Sequence, residues 1–412
     1  MVTEKTTCRL CKSSGLEKFL DLGSQPPANA FLREEDFTKE QTYPLVVARC
    51  TNPSCGFVQL AHVVDPETLF ADYVYVSSTS PTFVRHFEEY AQRMHERLNL
   101  TDALTLDIGS NDGVLVKPLK VLGAQALGID PAKKIAEQAT KEGLETIHGY
   151  FTKSFAIKLS GERGKAKLIT ANNVFAHIDD LDEVVEGARA LLAKDGLFVI
   201  EAPYLVDFIE KKLFDTVYHE HLSYIAIRPL DAFFKAHNMH IVDVEKTDTH
   251  GGSVRIMVAH NDALFVVAPV VLEMIQGEES RGLDKSAVYH QFAKEVLENK
   301  RILLELLAQL KSEGKTITGY GAPAKGNTLL NFMNISTEML DYIIDDSPLK
   351  QGLYTPGTHI KVVSAEYLNK HHPDYLFILA WNFAEPIMKK NEEFRMGGGK
   401  FIIPVPTPRV VS

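Results

Sequence analysis

The four cysteines of this 412-residue chain are Cys8, Cys11, Cys50 and Cys55, in CRLC and CTNPSC, and no other position carries one. Unrelated thiols would crowd into so short a leading segment about once in several thousand chains, so a shared role is the better account. In a reducing compartment two short cysteine pairs point to zinc. Each pair on a turn supplies two corners of a tetrahedron, and four thiolates leave no open position for water. The expected site is therefore structural. It stabilises a small strand-rich segment, including Tyr43 to Cys50 and Gly56 to Leu60, that has little apolar mass of its own.

Beyond it, ADYVYVSSTSPTF reads as an aromatic and hydroxyl-rich connector, followed by an amphipathic helix from roughly Phe83 to Leu98. Strands at Leu104 to Gly109, Gln125 to Asp130, Lys167 to Asn173 and Leu197 to Ala202 then alternate with helices, which predicts a parallel α/β sheet. HIVDVEKTD and SVRIMVAHN, joined by THGG, predict an antiparallel hairpin that finishes it. This layout is associated with class I methyltransferases rather than with an ordinary dinucleotide domain. A long helix over roughly Asp284 to Glu313 leads to TITGYGA, LDYIIDD, DYLFILA and KFIIPVP, a second parallel α/β unit. The expected domains are 1–75, a small zinc-binding domain; 76–265, a Rossmann-like methyltransferase domain; and 266–412, a C-terminal Rossmann-like α/β domain.

Lys, Glu and Asp interrupt every apolar stretch before it reaches membrane-spanning length, and MVTEKTTCRLCK has neither the apolar core nor the cleavage signature of a secretory signal. The expected compartment is the cytoplasm, with no membrane partner and no obligate protein partner. A formal net charge of −10 opposes nonspecific attraction to a polyphosphate, which argues against nucleic acid. A single phosphorylated metabolite needs only a few local cations or backbone amides.

Within the first α/β unit, LDIGSNDG resembles the first motif of S-adenosylmethionine (SAM) methyltransferases, with Asp107, Gly109 and Gly113 in register. The glycines let the backbone turn sharply off the strand and approach a ligand, and Asp130, ending the next strand, can accept hydrogen bonds from ribose hydroxyls. A nicotinamide-binding domain also places an acid there. The loop is not G-x-G-x-x-G, however, and the antiparallel hairpin and NNVFAHI at the end of the fourth strand favour SAM.

The densest titratable cluster is Tyr218-His219-Glu220-His221-Leu222-Ser223-Tyr224. Its imidazoles change protonation near neutral pH, as general acid or base work requires. In an extended chain His219 and His221 would point one way and Glu220 the other. A solvated loop, a second metal site or ordinary satisfied polar residues are the bland readings. His177 stands at a strand's C-terminal end, where α/β sheets bind ligands. GYGAPAKGNT joins a strand to a helix, so it is either a tight turn that needs glycine or a cradle for a substrate diphosphate.

Taken in order, the two cysteine pairs, YVYVSSTS, LDIGSNDG, NNVFAHI, YHEHLSY, HGGSVR, GYGAPAKGN and IDDSPLKQG resemble the sugar C-methyltransferases of deoxysugar pathways over essentially the whole chain. The resemblance implies methyl transfer from SAM to C3 of a nucleotide-linked 4-keto-6-deoxy sugar, with structural zinc and a C-terminal domain without a dinucleotide. It implies His221 as the base, with Tyr218 and Glu220 beside it and Tyr75 and His177 as further active-site positions. The expected cofactor contacts are Asp107, Gly109, Asn111, Gly113, Asp130 and Asn172; the expected substrate contacts are Ser80 or Thr79, Asn173, Gly321 and Lys325. A ketone acidifies the neighbouring carbon, so an imidazole can deprotonate it if the enolate oxygen is stabilised. Two alternatives remain at this level: an O- or N-methyltransferase on another small molecule, and a catalytically inactive zinc-containing binding protein.

Overall fold

The computed structural model describes residues 2–70, 78 and 81–412. Tyr75, Thr79 and Ser80 lie outside the described residues.

Three principal sheets follow one another along the chain. In the first, β1 (Leu16–Gln25), β2 (Tyr43–Cys50) and β3 (Val58–Leu60) pair antiparallel, and the two-residue strand Ser223–Tyr224 joins β3 as the fourth member. The N-terminal segment therefore completes its sheet with chain that follows YHEHL directly. Helix α1 (Pro81–Leu98) buries Phe87, Tyr90, Ala91, Met94 and Leu98, a stripe at helical spacing that packs on Leu168, Leu197 and Val199 of the central sheet.

The central sheet contains β4 (Leu104–Ile108), β5 (Gln125–Asp130), β6 (Thr146–His148), β7 (Ala166–Asn172), β8 (Leu192–Pro203), β9 (Met239–Thr247) and β10 (Ser253–His260). Its order is β9-β10-β8-β7-β4-β5-β6, with only β10 antiparallel to its neighbours. Both faces are covered, which is why LTLDI is buried at all five positions and shows no alternation. Strand β6 escapes the sequence because three residues carry no period, and β8 starts at Leu192, across a register irregularity from the expected Leu197.

Helix α2 (Ser286–Ser312) packs Tyr289 against Phe19 of β1, with ring centroids 4.9 Å apart. It leads to β11 (Ile317–Tyr320), α3 (Ala324–Met333), β12 (Ile343–Ile344), β13 (Val362–Val363), β14 (Tyr375–Ile378), β15 (Lys400–Ile403) and β16 (Arg409–Val411). The third sheet runs β13-β12-β11-β14-β15-β16, parallel except for β16. Among the described residues no helix is long and apolar enough to cross a membrane.

Candidate active site

The loop Ser110–Gly113 leaves β4 beside β7, where the strand order reverses and sheets of this type open a crevice. Gly109 has φ +66°, and a Cβ there would lie 2.7 Å from Val174 Cγ2, so the turn requires glycine. Asn111 is left-handed at φ +50°, and the Gly113 N–H donates to the Ser110 carbonyl at 2.9 Å. Asp130 holds the loop in place: its two carboxylate oxygens accept from the Asn111 and Ala132 N–H groups, each at 2.8 Å. Asp107 is buried and accepts from Thr170 Oγ1 at 2.6 Å and Asn172 Nδ2 at 3.3 Å. Burial pushes the Asp107 carboxyl up to about 7 and raises that of Asp130. The Ser78 N–H, from the connector, donates to Asp112 Oδ2 at 3.1 Å. Among the described residues, the buried Oδ1 atoms of Asp112, Asn172 and Asn173 have no hydrogen-bond partner. Desolvated carboxyls and spare acceptors suit a cationic ligand rich in N–H and O–H donors.

The histidine cluster is not the extended segment in which both imidazoles would point one way. Tyr218–His221 is a turn, with the His221 N–H donating to the Tyr218 carbonyl at 2.8 Å, so His219 and His221 diverge. His219 is buried against the N-terminal sheet, its Nε2 3.1 Å from the Tyr43 carbonyl, and burial pushes its imidazole down to about 4. His221 faces the other way, its ring 4.9 Å from that of His177 and 3.9 Å from that of Tyr218. Its Nδ1 lies 2.8 Å from the Thr216 carbonyl. A carbonyl only accepts, so Nδ1 carries the proton and Nε2 is the basic nitrogen of the neutral ring. His177 rides on the short turn Phe175–His177 just past β7, and buried Glu220 accepts from Asn29 Nδ2 of the N-terminal domain at 2.8 Å.

The four cysteine Sγ atoms lie within 4.8 Å of one another, with Cys8–Cys55 at 3.7 Å and Cys11–Cys50 at 3.5 Å. Hydrogen bonding from Cys55 draws Cys8 down to about 5, whereas burial pushes Cys50 up to about 12. The four thiols resist ionising together unless a cation compensates them, which is the donor set a closed zinc site uses.

In the C-terminal sheet the loop after β11 is already partly committed. The Gly321 N–H donates to the Ile344 carbonyl at 2.7 Å, and the Ala322 N–H to Asp345 Oδ2 at 2.6 Å. Gly321 has φ +83°, and a Cβ would meet that of Ala380 at 2.7 Å, so the turn itself requires this glycine. Lys325 Nζ sits 4.6 Å from the Trp381 ring centroid and donates to Asn382 Oδ1. Burial pushes it down to about 8 and pushes nearby Asp215 up to about 6; Asp215 in turn accepts from Trp381 Nε1. Lys350 Nζ donates to the Ala322 carbonyl at 2.7 Å.

Three family models match in succession: a zinc binding domain over residues 8–70, a methyltransferase domain over 83–244 and a C-methyltransferase C-terminal domain over 248–406. C-methyltransferase NovU of Streptomyces niveus is 37% identical over 407 residues, 98% of this chain and 96% of that protein. The chain belongs to the SAM-dependent C-methyltransferase family. A ubiquinone biosynthesis O-methyltransferase of Bradyrhizobium diazoefficiens is 27% identical over 126 residues, 29% of this chain and 50% of that protein. A solved magnesium protoporphyrin IX methyltransferase from Synechocystis PCC 6803, with SAM bound, covers 43% of this chain and 78% of its own at 14% identity and a TM-score of 0.34.

As a member of that family the chain uses SAM and carries zinc in its N-terminal domain. The residues fit both. The crevice at β4 and β7 offers acceptors and carboxyls to a cofactor that carries an ammonium, a sulfonium and a ribose diol, and the four thiols offer a closed tetrahedron. Sequence reasoning missed Asn29, Thr216, Asp215 and Lys350. Lys350 lay within IDDSPLKQG; the others become visible only when three domains fold together, because each reaches a partner far along the chain or by its main-chain carbonyl.

Proposed function

We propose that this C-methyltransferase acts on C3 of a nucleotide-linked 4-keto-6-deoxy sugar by way of an enolate, with His221 as the base. The observation that carries the reading is the Nδ1–H donated by His221 to the Thr216 carbonyl, which makes Nε2 the basic nitrogen of the neutral ring. Nε2 takes the C3 proton, and the C–H electron pair moves into the carbonyl. Tyr218 and His177, whose rings flank His221, donate to the enolate oxygen. Glu220, held by Asn29, takes a sugar hydroxyl or steadies the imidazole. Asp107, Asp130, Asn111 and Asn172 hold SAM, which when bound supplies an electrophilic methyl group, and Asn173 and connector residues Tyr75 and Ser80 contact the sugar. Lys325, beside the loop that begins at Gly321, meets the diphosphate, joined by Lys350. His219 takes no part, because its ring is spent on packing against the N-terminal sheet.

The test is incubation with SAM and a panel of dTDP-, GDP- and CDP-linked 4-keto-6-deoxy sugars. Product mass should rise by one methyl, and NMR should locate it on C3. A methyl on oxygen or nitrogen would instead make the chain an O- or N-methyltransferase. His221→Ala should lower turnover by about a hundredfold to ten-thousandfold while SAM still binds, as loss of a general base does.

A further inference from the structure

Two loops carry the histidines that face each other. One follows β7 and holds His177; the other, between β8 and β9, holds His221. Neither loop is fixed by the central sheet alone. Both are gripped by a side chain from the zinc knuckle.

Arg9 stands between Cys8 and Cys11 and is 5% exposed. Its main-chain N–H donates to Gln59 Oε1 at 2.6 Å, which sets it on β3. Its guanidinium then forks. Nε donates to Asp179 Oδ1 at 3.1 Å, two residues beyond His177, and Nη1 donates to the Leu222 carbonyl at 2.7 Å, one residue beyond His221. The Leu222 carbonyl also accepts from the Leu60 N–H at 3.0 Å, where the chain enters the fourth strand of the N-terminal sheet. Lys5, from the same domain, adds a 2.6 Å ion pair to Asp179. Burial alone would raise the Asp179 carboxyl, yet Lys5 and Arg9 hold it below the usual carboxylate range.

We propose that Arg9 is a positioning residue for methyl transfer: it ties the His177 loop to the His221 loop, so the zinc knuckle sets the spacing of the two imidazoles. The proposal rests on the reading in which those histidines do the proton chemistry. Its physical basis is the planar fork of a buried guanidinium, which fixes two acceptors at one mutual distance in a way a lysine ammonium on a flexible stem does not. Zinc held by the four cysteines would then have a second consequence besides folding, because Cys8 and Cys11 flank Arg9 and would fix the main chain from which it projects.

Arg9→Lys and Asp179→Asn in the full chain test it. Each should keep its zinc content and bind SAM within about twofold of the parent, while kcat falls by about tenfold to a hundredfold, the scale of a misplaced reacting group. Side-chain 15N NMR gives a readout independent of turnover: the His177 and His221 imidazole signals should move in both variants, while those of His219, which is held by Tyr43, stay put. If Arg9→Lys loses zinc, Asp179→Asn decides, since it leaves the knuckle intact. Unchanged kcat and unchanged His177 and His221 signals in Asp179→Asn would overturn the proposal. Turnover that survives His221→Ala would overturn the base assignment instead, and the NMR signals would still show whether Arg9 spaces the two rings.

Discussion

The central and C-terminal sheets use one device to hold the loop after their first strand. In the central sheet the Asp130 oxygens take the N–H groups of Asn111 and Ala132, each at 2.8 Å. In the C-terminal sheet Asp345 takes those of Ala322 at 2.6 Å and Ser347 at 2.8 Å. The acid, its place at the end of the second strand and its two amides match. The charge around the device does not. The central loop is lined by Asp107, Asp112 and Asp130, whereas Lys325 and Lys350 crowd the C-terminal loop and Lys350 reaches back to the Ala322 carbonyl. One fold therefore presents an acidic crevice for a cationic cofactor and a basic loop suited to an anionic substrate. The backbone builds the crevice, and a few side chains choose the sign of its ligand.

The contrast can be broken most severely at Asp130. Asp130→Ala removes the acceptors of both amides that shape the loop, so SAM affinity should fall about a hundredfold by calorimetry, on the scale of an unsatisfied buried group. Nucleotide-sugar binding should be unchanged; loss of both together would mean that the two loops are not separate sites. Lys325→Met combined with Lys350→Met should raise the KM for the sugar nucleotide about tenfold and leave SAM affinity alone, as removal of charge-assisted contacts does. An unchanged KM would remove the diphosphate from the C-terminal loop.

A smaller effect sharpens the comparison through pH. Asp107 is pushed up to about 7, so its carboxylate, the form that attracts an ammonium, gains population as pH rises through 7. SAM affinity should increase by up to about tenfold between pH 6 and 8 and lose that dependence in Asp107→Asn. Folding stability of the unliganded chain moves the other way. The folded pKa lies above the unfolded one, so the contribution is complete below about 4 and is lost as pH rises through 7. Lys325, pushed down to about 8, gives the substrate the opposite sign: its ammonium is lost above that pH, and sugar-nucleotide affinity should weaken there.

Much of this was legible in the chain itself. The cysteine pairs, the glycine loop with Asp107 and Asp130, and the hairpin that closes the central sheet announce themselves because each depends on local spacing. Spacing alone did not choose between His219 and His221, a choice that came only from the resemblance, because alternation assumes an extended strand and the segment is a turn whose two imidazoles go to different domains. Arg9, Asn29 and Asp215 were invisible for a related reason. Their partners, Asp179, Glu220 and Trp381, lie more than a hundred residues away, and nothing local marks such a pair. GYGAPAKGN was legible as a turn but not as a closed one, since the acceptors of its amides, the Ile344 carbonyl and Asp345, lie at the end of the next strand and just past it.

The central claim is proton abstraction from carbon by His221, and solvent exchange reads it directly. The protein should be incubated in deuterium oxide with the proposed substrate, a 4-keto sugar nucleotide, and S-adenosylhomocysteine, so that no methyl can transfer, and the sugar nucleotide examined by NMR. The account predicts deuterium at C3 with the parent chain and none above background with His221→Ala. Exchange that persists in His221→Ala, or methylation by the parent chain without any exchange at C3, would contradict it.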